Sequence, residues 1–147
     1  MADSLPFVAT PSASLADLAA LIADVPYSTA KVHLYSNDYT PDKDTVIGDL
    51  TETTFSGYAA ASLTWGTAFL DGQKVACSSA GQKAFTKSGA TSDNVYGAYI
   101  TDVAGTGLLR AARLPDAPAF MDVDGSVLLI TLLLTLTNGL LDRQETP

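Results

Sequence analysis

The most informative segment of the chain runs from Leu34 to Asp102, and its clearest parts are LYSNDYTP at residues 34–41, DLTETTFSGYA at residues 49–59 and NVYGAYITD at residues 94–102. Short runs rich in aromatic and apolar residues alternate here with clusters of Asn, Asp, Ser, Thr, Pro and Gly. This alternation is typical of strands joined by turns. The segment therefore predicts a β-rich scaffold, and it offers almost no residues suited to catalysis.

Glycine-containing turns divide the remaining chain in the same way. They are expected where the backbone needs a positive φ, at Asp71-Gly72, Ala80-Gly81, Ser88-Gly89, Gly105-Thr106-Gly107 and Asp124-Gly125. The predicted strands are Ala30–Ser36, Gly57–Trp65, Gln73–Ser78, Gln82–Lys87, Asn94–Asp102, Gly107–Leu114 and Ser126–Thr137, with Thr45–Leu50 as a short strand or a helical turn. Strands spaced about 8–12 residues apart predict a mainly β single domain, a β-sandwich or a jelly-roll-like barrel.

The first of these strands has a clear period of two. Val32 and Leu34 fall on one side, and His33 and Tyr35 fall on the other. Such a pattern predicts a half-exposed strand with a surface imidazole.

An extended N-terminal arm is predicted for residues 1–13, because Pro6 and Pro11 disfavour regular structure there. The apolar residues of this arm are candidate interface residues, namely Leu5, Phe7 and Val8. We expect the arm to act in assembly rather than in folding.

One short helix is predicted from Ser14 to Ala23. Ser14 and Asp17 resemble a capping box, and Pro26 ends the helical pattern. The apolar residues on one face are Leu15, Leu18, Leu21 and Ile22. The helix therefore falls within residues 14–24 of a single β-rich domain that spans residues 14–147.

Length, composition and charge narrow the possible classes of function. A chain of 147 residues has the size of one typical domain, and its 47% apolar content excludes a disordered tail. The net charge of −8 repels phosphate backbones, so nucleic acid is not an expected partner. The acidic residues are fourteen Asp and two Glu. Since Asp favours turns and caps, the Asp excess indicates turn chemistry rather than metal binding.

Three sequence features bear on the compartment and on membranes. Cys77 is the single cysteine, so no intramolecular disulfide is possible, and a buried thiol is expected. The N-terminal residues, Met1-Ala2-Asp3-Ser4, lack the basic and apolar regions of a secretory signal. The most apolar run, Val127–Leu136, is shorter than the ~20 residues of a membrane helix, so it is interpreted as a buried strand.

Candidate catalytic and metal-binding residues are sparse, and none is assigned to catalysis, a cofactor or a metal. A histidine-dependent base must be His33, and a four-ligand zinc site has too few Cys and His. Asp122-Val123-Asp124-Gly125 and the cluster of Asp38, Asp42 and Asp44 lack the spacing of an EF-hand loop. The chain is therefore predicted not to be an enzyme.

Aromatic and arginine residues give two further candidate surfaces. Trp65 with Tyr58, Tyr96 and Tyr99 forms either a sugar-binding platform or, as strand aromatics more often do, core packing. Arg110 and Arg113 fall on opposite faces of a regular strand, so one of them is a candidate interface residue. An Asp partner within the chain is the alternative.

The three quoted segments resemble small proteins encoded in the structural gene modules of tailed bacteriophages, and the resemblance extends from Lys31 to about Thr137. It rests on a pattern of aromatics, glycines and Thr/Asp turns. Proteins of this kind that look like capsid cement or decoration proteins are β-rich, bind the outside of the major capsid shell, often as trimers, and have no catalytic residues.

The resemblance implies a non-enzymatic virion protein, made in the host cytoplasm and located on the capsid surface. Its expected partners are the major capsid protein and further copies of itself in a homo-oligomer, with neither nucleic acid nor membrane. The alternatives are a tail, fibre or head-tail virion protein on the same scaffold, and a carbohydrate-binding module that uses Trp65.

Overall fold

Nine strands, two α-helices and one 3-10 turn form the described part of the chain, which is residue 5 and residues 9–136 of a computed structural model. The helices are α1 (Pro11–Ala23) and α2 (Val25–Ser28), and the 3-10 turn is Ile47–Asp49. The strands are β1 (Lys31–Tyr35), β2 (Ala61–Ser62), β3 (Phe69–Leu70), β4 (Ala76–Thr86), β5 (Asp93–Val95), β6 (Gly97–Thr101), β7 (Leu108–Arg113), β8 (Ala119–Met121) and β9 (Val127–Leu136).

The first sheet has the strand order β2-β1-β6-β7, with antiparallel ladders throughout. Val32 in β1 lies opposite Ile100 in β6, and both side chains enter the main core. Leu34 is fully buried beside them. The alternating pattern predicted for β1 therefore places its apolar residues correctly.

The other face of β1 corrects the prediction of a half-exposed strand, because His33 and Tyr35 are buried there as well. The loop after β1 returns to cover this face. In that loop, Thr53 N–H donates to the carbonyl oxygen of Leu34, and Glu52 forms an isolated bridge with Tyr35. A period of two shows which residues share a face, but it does not show that a later loop covers the polar side.

The second sheet has the order β3-β4-β9, and its main ladder runs from Ala76 opposite Leu136 to Thr86 opposite Val127. The sequence predicts two strands in this region, Gln73–Ser78 and Gln82–Lys87, separated by a turn at Ala80-Gly81. The structure has one continuous strand, with a bulge between Ser79 and Gly81. Gly81 has φ +75°, and a glycine with positive φ inside a ladder bends a strand without reversing it.

Several other strand predictions need smaller corrections. The predicted strand at residues 57–65 is reduced to β2, and β3 and β8 were missed because both are very short. The predicted strand at residues 94–102 is split into β5 and β6 at Tyr96, whose N–H donates to the carbonyl oxygen of Tyr35. β5 then pairs with β8 in a separate two-stranded sheet. Of the two options for residues 45–50, the helical turn is correct.

The main helix begins at Pro11 rather than at Ser14, so residues 11–13 belong to the helix and not to the predicted arm. Thr10 is the cap, because its hydroxyl accepts the N–H of Ala13, and proline is well suited to the first helical position. The capping box at Ser14 is wrong, since Ser14 is buried inside the helix. Most of the predicted arm, residues 1–4 and 6–8, lies outside the described residues.

Helix α1 packs on one end of the second sheet through the fully buried Leu18. The core residues around Leu18 include Tyr27, Ala76, Leu134 and Leu136. The main core joins the first two sheets, with Val32 and Ile100 from one sheet and Ile130 and Leu132 from the other. The predicted mainly β single domain is confirmed, with three open sheets in place of a closed jelly roll. In the described residues, no helix has the length and apolar character needed to span a membrane.

Candidate functional site

A polar cluster lies on the face of β1 that is opposite the main core, with His33 and Thr101 buried and the Glu52 side chain 44% exposed. Nδ1–H of His33 donates to Oε2 of Glu52 over 2.7 Å, and Nε2 lies 2.8 Å from Oγ1 of Thr101. The hydroxyl of Tyr58 donates to the same Glu52 oxygen over 2.6 Å. Tyr99 stacks on the imidazole, with ring centroids 4.8 Å apart. These five side chains are called the His33 cluster below.

The fold brings the cluster together from distant parts of the sequence. His33 and Tyr99 lie directly opposite each other in the β1–β6 ladder, which is why their rings stack. Glu52 arrives through its bridge to Tyr35, and Thr101 is at the far end of β6. The sequence points to His33 alone and not to its partners, because no local spacing links them.

The order carboxylate, imidazole and hydroxyl is that of a hydrolytic triad, so its accessibility decides what the cluster can do. A nucleophilic hydroxyl must reach a substrate carbonyl, but Thr101 is fully buried and His33 is only 9% exposed. The Thr101 hydroxyl also donates to the carbonyl oxygen of Asp102. His33 and Thr101 therefore satisfy their hydrogen-bonding groups inside the packed protein, and the Thr101 hydroxyl is not placed to attack a substrate.

Burial and hydrogen bonding shift three pKa values in the His33 cluster. Burial raises the pKa of Glu52, but the hydrogen bonds from Tyr58 and His33 outweigh it and hold this pKa below its ordinary value of 4.5. Burial, followed by the hydrogen bond to Glu52, raises the pKa of Tyr58 far above its usual range. Burial and the nearby Glu52 charge raise the pKa of Tyr99 to about 12. Glu52 is therefore bound as a carboxylate.

We expect the His33 cluster to make the free energy of unfolding depend on pH in the acid range. The pKa of Glu52 is lower in the folded state than in the unfolded state, so the carboxylate contributes its full stabilisation above pH 4.5. This stabilisation is lost as the pH falls through the folded-state pKa. Replacing Glu52 with Gln should remove this contribution. Urea unfolding across the acid range should show the stability difference between wild type and Glu52→Gln shrinking as the pH falls through this window.

A double-mutant cycle with Tyr58→Phe provides the control for this prediction. Removing the hydroxyl removes one of the hydrogen bonds that lower the pKa of Glu52, so the pH-dependent part of the Glu52→Gln effect should become smaller. A Glu52→Gln effect that is the same at every pH would contradict the assignment.

The two candidate arginines do occupy opposite faces of β7. Nη1 of Arg113 donates to Oδ1 of Asp38 over 2.6 Å, and its guanidinium lies over the ring of Tyr96. The alternative of an Asp partner within the chain is therefore confirmed for Arg113. Arg110 lies on the other face, with its guanidinium carbon 5.8 Å from the ring centroid of Tyr27. Contact of either arginine with another subunit stays a prediction.

Of the candidate residues in the arm, only Leu5 is described, and its side chain is 67% exposed. Phe7 and Val8 lie outside the described residues. Their role at an interface stays a prediction.

The Asp-rich loops act as turns, as the sequence indicated. Oδ1 of Asp42 accepts the N–H of Asp44, and Oδ1 of Asp71 accepts the N–H groups of Gln73 and Val75. Oδ1 of Asp124 instead joins two loops, since it accepts the N–H of Gly89. Within the part of the chain that the structure describes, no group of three or more metal-ligating side chains comes together.

The aromatic residues considered as a sugar platform are distributed among the cores. Tyr58 packs on the main core, Tyr96 and Tyr99 belong to a separate cluster around Tyr35, and Nε1 of Trp65 donates to the carbonyl oxygen of Tyr27 over 3.0 Å. They form no shared flat surface among the described residues. The packing interpretation of these side chains is confirmed.

The feature that sequence analysis missed is the outer face of the second sheet. The side chains of β9 on this face are Val127, Leu129, Thr131, Leu133 and Thr135. The β4 residues opposite them are Thr86, Ala84, Gln82, Ser79 and, at the end of the face, the buried Cys77. The most exposed apolar side chains in this set are Leu133 at 57% and Val127 and Leu129 at 54%. None of these ten residues is charged, although the chain carries a net charge of −8. We call this surface the outer face.

The interpretation of residues 127–136 as a buried strand is therefore only half correct. β9 is at the edge of its sheet, and its burial alternates from exposed Leu129 to buried Ile130 and from buried Leu132 to exposed Leu133. A continuous apolar run normally indicates a strand that is buried on both faces. The apolar sequence of β9 therefore disagrees with the exposure of one of its faces, and this disagreement becomes apparent only when the position of β9 at the sheet edge is known.

A groove separates the free edge of β9 from β7. It has a volume of about 220 Å³ and is lined on the β7 side by Arg110, Ala111 and Ala112. On the β9 side, consecutive residues from Ile130 to Thr135 line it. Since neighbouring strand residues point to opposite faces, it is the backbone edge of β9 that borders this space. The edge and the outer face together form the candidate interaction site.

Comparison of the chain with protein-family models, with curated proteins and with solved structures finds no match.

Proposed function

We propose that this chain is a non-enzymatic virion protein of a tailed bacteriophage, a capsid cement subunit that binds the outside of the major capsid shell and stabilises it. The observation that carries the proposal is the outer face, an exposed sheet surface with apolar side chains and no charges. The resemblance of residues 31–137 to phage structural proteins supplies the class of partner.

The outer face has the properties of a binding surface rather than of an ordinary solvent-exposed sheet. Burying Leu129 and Leu133 against another protein removes apolar area from water without removing any charge from water. Isolated exposed leucines are common, but adjacent ones on one face of a strand mark an interaction site. The acidic residues elsewhere keep the free subunit soluble.

Such a subunit stabilises a shell by mass action. It binds the assembled lattice and not the separated capsid proteins, so its binding free energy adds to the stability of the assembly. Contacts of about 800 Å² on each partner are sufficient for a specific interface. Many copies on one particle make modest individual affinities effective.

Shells that lack this protein should assemble but release their DNA at a lower temperature than complete shells. Adding the purified protein should restore resistance in a saturable way, because binding sites on the lattice are limited in number. Leu129→Glu should weaken this rescue at least about tenfold in the concentration required, since it places a charge in a desolvated contact. Thermal release of DNA, followed with an intercalating dye, measures the effect.

Val103→Glu is the matched control. Val103 is 56% exposed, similar to Leu129, but it lies in the turn between β6 and β7 and not on the outer face. It should rescue as well as wild type. Unchanged shell stability together with loss of host adsorption would point to the fibre alternative, and glycan binding without particle association would point to the carbohydrate-binding alternative.

A further inference from the structure

The free edge of β9 differs from the other sheet edges of the described chain. An open edge invites pairing with another strand, and proteins usually protect such edges by keeping them short or by adding charge, proline or a bulge. β2 and β3 are edge strands of only two residues each, and β5 and β8, which form the third sheet, have three residues each. β7 carries Arg110 and Arg113, and its ladder with β6 is irregular. Those edges are therefore protected.

β9 has none of these protections on its own strand. It is ten residues long and contains neither a charged residue nor a proline. Its backbone edge borders the groove beside β7 over residues 130–135, and no described strand is hydrogen-bonded to this edge. Such an edge is expected to pair with another strand.

The sequence of β9 matches a reversed copy of itself. Two antiparallel copies that meet at Thr131 place Leu129 of each strand opposite Leu133 of the other, and Val127 opposite Thr135. No like charges meet, although two copies with a net charge of −8 repel each other elsewhere. A register centred on Leu132 would instead place Thr131 opposite Leu133 and Leu129 opposite Thr135, so hydroxyl and apolar groups would meet at four cross-strand pairs rather than at the two Val127–Thr135 pairs.

We propose that two copies of this chain pair through β9, antiparallel, about a two-fold axis at Thr131. The two three-stranded sheets then form one continuous sheet, with both outer faces on the same side. Antiparallel pairing of identical strands requires a two-fold axis, so this contact is distinct from the trimer that the phage resemblance implies. The proposal does not depend on the capsid function, because it concerns the purified chain alone.

Disulfide trapping tests the register directly. In a Cys77→Ala background, Thr131→Cys should form a covalent dimer on mild oxidation, because directly opposed residues of antiparallel strands have Cα atoms about 4.5–5.5 Å apart. Gln82→Cys is the matched control, since Gln82 lies opposite Thr131 on β4. In the proposed sheet the two Gln82 positions are three strand spacings apart, about 14 Å, so they should not crosslink.

A second measurement uses the chain with its native cysteine. Wild type should sediment as a dimer, and Thr131→Lys should sediment as a folded monomer at the same concentration, because it places two like charges directly opposite each other. Gln82→Lys should remain dimeric. Wild type that is monomeric at its highest soluble concentration would overturn the proposal. So would crosslinking through Gln82→Cys but not Thr131→Cys, which would indicate that the outer faces pack against each other.

Discussion

Replacing Leu132 with alanine is expected to destabilise the protein by about 2–5 kcal/mol, the largest effect that we predict. Leu132 is on the inner face of β9 and is 6% exposed in the main core. Its truncation removes apolar contacts and leaves a cavity between two sheets that cannot easily close. Urea unfolding measured at several protein concentrations gives the change in the free energy of unfolding.

Leu133→Ala is the matched control, because it makes the same chemical change at the next residue. Leu133 is 57% exposed on the outer face, so the folded monomer should lose no more than about 0.5 kcal/mol. The substitution should instead weaken self-association, so the loss in the free energy of unfolding should depend on protein concentration. Equal losses for the two monomers would mean that β9 is buried on both faces and that the outer face is not a free surface.

Gly97→Ala is expected to destabilise the protein by about 3 kcal/mol. Gly97 is in β6, and an added methyl group would overlap the carbonyl oxygen of Ala112 and the ring of Tyr35. Neither neighbour can move freely, since Ala112 belongs to the adjacent strand and Tyr35 is fully buried. Thermal and urea unfolding of the variant would measure the loss.

Gly72→Ala separates this overlap from the general effect of replacing glycine. An added Cβ at Gly72 meets nothing within 4 Å, and the backbone there is outside the left-handed region. That variant should be unchanged or up to about 1 kcal/mol more stable, because alanine restricts the unfolded chain. If Gly97→Ala were as stable as Gly72→Ala, the contact between β6 and the Tyr35 ring would be looser than described.

Local chemistry was sufficient to predict much of the secondary structure. The alternation at residues 30–36, the apolar run at residues 126–137 and the strand at residues 107–114 all correspond to observed strands. The helix ends where Pro26 predicted, but it begins earlier because proline at its first position is compatible with a helix. Gly81 shows the limit of turn prediction, since a positive φ serves a bulge as well as a reversal.

The partners of side chains could not be predicted in this way. Nothing in the local sequence relates His33 to Thr101, although the fold places them in hydrogen-bond contact. Arg110 and Arg113 were correctly predicted to lie on opposite faces, but the pairing of Arg113 with Asp38 depends on the course of the loop after β1. The sequence therefore identifies single residues, whereas the structure shows that they belong to hydrogen-bond networks.

A mainly β domain with Asp-rich turns and without a local catalytic or metal-binding motif follows from the amino-acid order alone, because strand periodicity, turn chemistry and residue composition act over a few neighbouring residues. The burial of the polar side of β1 and the exposure of one side of β9 became known from the packing of the folded chain. Both outcomes depend on which segment packs against each face and on whether a strand is central or at an edge. Long-range packing sets these relations, and the same local pattern is compatible with either outcome.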